Sequence, residues 1–208
     1  MLTAAVVVTA WLIAGRAWRM VFWWCGLFGL GLLFVLATKI AFVGWGVGIR
    51  SIDFTGISGH SMRATAVMPV MLYLILQKTP RLVCTAGVLL GLLFGVLIGI
   101  SRLILNAHSI SEAVAGCVLG AIISLGFILI TRHSPKPVLN RWLIALSLLI
   151  VFGATRYTEP VPTQRLIRGV ALYLAGHERP YIRATWKMAP TLPNSPVDEH
   201  SSKELMSF

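Results

Sequence analysis

The alternation of long apolar stretches with short polar ones divides this chain before any single residue is considered. Runs at 82–100 and 109–130 are nearly free of charge over the roughly 20 residues that a hydrocarbon core requires. Similar runs cover 2–14, 21–38, 61–77 and 142–155. The pattern predicts an all-α, polytopic membrane protein with about six transmembrane helices, because only helices satisfy their own backbone in lipid. Two connections, 39–60 and 101–108, are polar in a structured way, and six spans place them on one side of the membrane. Beyond the spans, 163–176 has the spacing of a short amphipathic helix that rests at an interface, and the Pro-, Ser- and charge-rich remainder is expected to be disordered. The predicted organisation is an embedded domain over 1–158 and a tail over 159–208.

Composition agrees with the pattern. Of 208 residues, 57% are hydrophobic and 12% charged, far more apolar side chain than a soluble domain of this size buries. The formal charge of +11 is scattered through short loops and the tail, with no basic stripe on a soluble face, so nucleic acid is not the expected partner. Arg16, Arg19, Lys78, Arg81, Arg132, Lys136 and Arg141 fall on the side opposite the two polar connections. The positive-inside rule makes that side cytoplasmic and turns 39–60 and 101–108 outward, toward the periplasm if the membrane is a bacterial inner one. Cys25, Cys84 and Cys117 lie singly in apolar runs without metal-ligand spacing, so no metal site is expected. Small residues at Gly87, Gly91, Gly95 and Gly99, and at Gly116 and Gly120, recur every four positions and mark helix faces for close packing.

Candidate chemistry comes from the polar residues that this pattern does not explain. Glu112 is a lone carboxylate in an apolar helix and needs a partner; His108 stands four residues earlier on the same face. A carboxylate on one imidazole nitrogen fixes the tautomer and leaves the other as base or nucleophile, whereas the plainer reading has both groups satisfied by neighbouring helices. Arg102 either snorkels to the interface or forks onto a phosphate. In "GISGHSMRAT", Ser58 either caps a helix or joins Gly59 and the helix start at His60 and Ser61 in facing an anion. Lys39, Arg50 and Arg63 share that side of the membrane and serve as headgroup anchors or as part of the same basic site.

These residues resemble the type 2 phosphatidic acid phosphatase family, whose motifs are K-x6-RP, PSGH and SR-x5-H-x3-D. The third reads Ser101-Arg102-x5-His108-x3-Glu112 here, with Glu for Asp; the second reads Ile57-Ser58-Gly59-His60, without its proline. In the first, Lys39 stands in the expected region, but Arg50 follows at eleven residues instead of seven and no proline follows it. The resemblance spans about 37–130 and implies a helical phosphatase core without metal or other cofactor. It implies that His108 attacks phosphorus, that Glu112 orients it, and that His60 protonates the leaving oxygen. Lys39, Arg102, Ser58 and Gly59 would bind the phosphate, with Arg50, Arg63 or neither replacing the missing motif arginine. The expected substrate is a membrane lipid phosphate or diphosphate, of the undecaprenyl diphosphate, phosphatidate or phosphatidylglycerol phosphate class. Phosphotransfer to another lipid, such as lipid A, and binding of lipid phosphate without turnover are the rival expectations.

Overall fold

The computed structural model describes residues 2–105, 107–138 and 163–176, with the single positions Trp142, Ile144, Ala145, Ser147, Pro180, Tyr181 and Arg183. The helices are α1 (Leu2–Ala14), α2 (Trp18–Trp45), α3 (Gly59–Leu76), α4 (Arg81–Ile104), α5 (Ile110–Thr131) and α6 (Thr163–Ala175). A 3-10 turn, Arg50–Ile52, and one antiparallel bridge between Ile49 and Phe54 interrupt the connection from α2 to α3. The all-α expectation holds among the described residues. Three helices, α2, α4 and α5, are long and apolar enough to cross a membrane, and α1 is a shorter apolar helix. The expected span at 142–155 lies outside the described residues apart from its four single positions.

Small residues decide how the helices pack. The glycines of α4 form the face expected of them, turned toward α3. A methyl group at Gly91 would come 2.6 Å from the Pro69 backbone, and one at Gly95 2.7 Å from Thr65 Cα. On α5, methyl groups at Gly116 and Gly120 would meet the carbonyl oxygens of Ser58 and Met62 at 2.6 and 2.5 Å. Helix α3 is therefore clasped backbone to backbone on two sides, the close approach that drives association where lipid supplies no hydrophobic effect. Its polar residues Ser61 and Thr65 are buried by this clasp, and Thr65 donates its hydroxyl to the Ser61 carbonyl at 2.9 Å. Trp24 stacks on Phe28 and meets Phe127 edge-on, closing the core beneath α1. Leu33, Leu89, Leu93, Val118 and Ile122 point outward, as lipid-facing side chains do.

Two helices run further than hydropathy predicts. At 28 residues and about 1.5 Å per residue, α2 exceeds a hydrocarbon core of about 30 Å, so Lys39 sits on helix and not in a loop. Helix α4 continues through Ser101 and Arg102 in the same way. At the opposite end, Gly15 abuts Pro137, and Lys136 donates to the Gln77 carbonyl, gathering Arg16, Arg19 and Lys136 there.

Candidate active site

The connection from α2 to α3 is folded onto one end of the bundle. Gly46 closes α2 with φ +66, its N–H donating to the Phe42 carbonyl at 2.8 Å. Gly56 adopts φ +143, and a side chain there would press on Lys39 at 3.2 Å, so glycine permits both the backbone and the approach. Ile57 N–H donates to Thr38 Oγ1 (3.2 Å), Ser58 N–H to the Glu112 carbonyl (3.1 Å), and Ser111 Oγ to the Ile52 carbonyl (2.8 Å). The loop is thereby fixed to α2 and α5 together.

Glu112 is the centre of this arrangement and only 1% exposed. As the third residue of α5 it forms a capping box with Ser109, each backbone N–H facing the other's side chain at 3.4 Å. The same carboxylate holds His108 Nδ1 on Oε2 at 2.7 Å. Oε1 accepts from the Thr55 backbone N–H at 2.9 Å, from the Thr55 hydroxyl, and from the Arg183 guanidinium. The pairing of His108 with Glu112 expected from sequence is therefore present, and Nε2 of the imidazole has no hydrogen-bond partner among the described residues.

A cavity of about 330 Å3 opens beside this pair, lined on the bundle side by Lys39, Thr55, Gly56, His108 and Glu112. The tail supplies the facing wall through Ile167, Arg168 and Arg183. Arg102 has a buried Nε without a hydrogen-bond partner among the described residues, a donor suited to an anion. Arg63 donates its Nε to the Gly59 carbonyl at 2.7 Å. His60 stands on the first turn of α3, before the apolar run 61–77, and reaches the surface. The protein around it still withholds water, and Arg63, Arg102, Lys39 and His108 add repulsion, so its pKa is lowered to about 4. These surroundings hold His60 neutral amid three cations.

The residues for which the residue types left alternatives open have these surroundings. Ser58 is fully buried; its hydroxyl accepts from Ser61 Oγ at 2.9 Å and from Ser61 N–H at 3.5 Å, and its own N–H is spent on Glu112. It caps the helix, its hydroxyl facing Ser61 and its N–H committed to the Glu112 carbonyl. Arg50 is exposed on the 3-10 turn, and neither it nor Arg63 lines the cavity; Arg63 lies within electrostatic reach of His60 and Lys39. Gly59 opens α3, whose first N–H groups have no partner within the helix. Thr55, Arg168 and Arg183 are additions that the sequence did not suggest. Thr55 sits just before the "GISGHSMRAT" stretch, but Arg183 is 71 positions from Glu112, with no periodicity to link them.

Fold and site together define a membrane-embedded helical protein with a histidine–carboxylate pair in a basic cleft. Residues 44–136, which hold His60, Arg102, His108 and Glu112, match the family model described as the PAP2 superfamily. The chain is 35% identical over 173 residues to an "Uncharacterized 22.5 kDa protein in cps region" of Klebsiella pneumoniae, covering 79% of this chain and 81% of that protein. No solved structure matches it. The chain belongs to the PAP2 superfamily.

Proposed function

We propose that the protein is a phosphatase of membrane lipid phosphates or diphosphates that works through a phosphohistidine on His108. The observation that carries this reading is the His108–Glu112 pair, with Nε2 unused, beside a cavity that Lys39 also lines. In the first step Nε2 attacks phosphorus, a P–N bond forms, the P–O ester or anhydride bond breaks, and His60 gives its proton to the departing oxygen. Water then attacks the phosphohistidine, His60 takes the water's proton, a P–O bond forms as the P–Nε2 bond breaks, and inorganic phosphate leaves with His108 regenerated. Phosphoryl transfer asks mainly for positioning and for neutralised charge, which Lys39, Arg63, Arg102 and the opening N–H groups of α3 at Gly59 supply. His60 without substrate is neutral at neutral pH, so it must take up a proton from solvent as the substrate dianion binds and offsets the surrounding positive charge. A site at the outer end of lipid-exposed helices suits a substrate with an anionic head and a hydrocarbon tail. The proposed setting is a bacterial inner membrane with this end facing the periplasm.

The test is phosphate release by purified protein in detergent, with chelator present, from phosphatidate, phosphatidylglycerol phosphate and an isoprenyl diphosphate. Release from at least one lipid, abolished in His108→Ala and reduced at least about a hundredfold in Glu112→Gln, is expected. Release indifferent to His108 would place the chemistry elsewhere, and none from any lipid would leave a binding protein; either overturns the reading.

A further inference from the structure

We propose that Arg183, supplied by the C-terminal tail, is a positioning residue that holds Glu112 on His108. The inference rests on the phosphohistidine reading for its kinetic consequences but on geometry for its substance. Three attachments carry the tail to the site. Helix α6 crosses the end of α2 where Gly44 leaves room, since a methyl there would stand 3.2 Å from both the Ala171 carbonyl and Ala175 Cβ. Tyr181 donates its backbone N–H to the Val43 carbonyl at 3.0 Å, satisfying one of the last carbonyls of α2, and its ring covers Gly46. Arg183 then reaches Glu112 Oε1 and Thr55 Oγ1 (3.0 Å) with one amino group, and its Nε lies 3.6 Å from Asp53 Oδ1.

The consequence follows from counting acceptors. Glu112 Oε2 is occupied by His108 and Ser109, and Oε1 by Thr55 and Arg183, so the carboxylate is fixed at both ends. Glutamate has one more rotatable bond than the aspartate of the family motif and needs more holding. Lys39 lines the same cavity and lies within electrostatic reach of Glu112. Without Arg183, Lys39 is the cation toward which the carboxylate would turn, releasing His108 and neutralising a phosphate-binding charge. Arg183 thus keeps Glu112 facing the imidazole and keeps Lys39 for substrate.

The experiment compares full-length wild type, Arg183→Ala, Arg183→Lys, Glu112→Ala and the Arg183→Ala/Glu112→Ala pair. For Arg183→Ala, kcat is expected to fall about ten- to a hundredfold, the scale of a small misplacement of a reacting group, with KM changed by less than about threefold. Arg183→Lys should recover part of the rate, and Arg183→Ala should cost nothing further once Glu112 is gone. A raised KM with unchanged kcat would make Arg183 a substrate ligand, a faster variant would make it an inhibitory strap, and additive losses would make it merely structural. Each of these overturns the proposal. Nitrogen-15 spectra of the histidines, assigned with His108→Ala, read the geometry without turnover: Arg183→Ala should convert His108 from one tautomer to a mixture. If wild type releases no phosphate, the functional reading fails, and an unchanged tautomer would separately sink the role of Arg183.

Discussion

His60 shows how a residue can be placed for a task that its resting state does not perform. Its pKa of about 4 means that, without an anion beside it, the ring is mostly neutral above that pH, yet the proposed reaction needs the protonated form. A bound dianion offsets the charges of Lys39, Arg63 and Arg102, so protonation and binding are linked: between pH 4 and the higher midpoint of the complex, binding takes up a proton, and affinity weakens as pH rises through that window. Titrating the His60 resonance with and without inorganic phosphate checks this. The midpoint should rise with phosphate; one that stays put would remove His60 as the proton donor. The residues most legible in the sequence were those whose isolation demanded a partner, above all Glu112, a carboxylate in an apolar run with His108 one turn away. Ser58 left two readings open because a cap and an anion site use the same residue types; its buried hydrogen bonds show the cap.

Among the elements, α3 is the one on which the site depends, and it is held by what its neighbours lack. A methyl on Gly91 would meet backbone atoms of Pro69, which cannot move aside as a side-chain tip can. Gly91→Ala is expected to destabilise by about 1 to 3 kcal/mol through overpacking. It should also lower activity, because displacing α3 displaces His60. Gly26→Ala on α2, where the new methyl meets nothing within 4 Å, should stay within about 0.5 kcal/mol of wild type. Thermal unfolding in detergent measures both, and equal effects would refute the clasp. Spacing alone disclosed these glycine faces, since a four-residue period survives whatever the partner is. Helix ends were less legible: hydropathy stops the spans at 38 and 100, but the helices continue through Lys39, Ser101 and Arg102, because polarity and helicity coexist beyond the apolar run.

At the scale of the whole molecule, the cations Arg16, Arg19 and Lys136 gather at one end and the His108–Glu112 pair lies at the other, an asymmetry that should orient the protein. With the native cysteines replaced, a membrane-impermeant thiol reagent added to intact cells should label Arg50→Cys and spare Arg132→Cys. Labelling in the reverse sense would put the cleft in the cytoplasm. What the sequence could not disclose at this scale was the reach of the tail, because an ion pair across 71 positions leaves no periodic trace. That reach also sets an order of events during synthesis. Position 183 leaves the ribosome only after all of α1 to α5 has been made. A nascent chain therefore holds His60, His108 and Glu112 well before the guanidinium that pins the carboxylate exists. Translation itself delays assembly of the complete centre until the bundle has been synthesised.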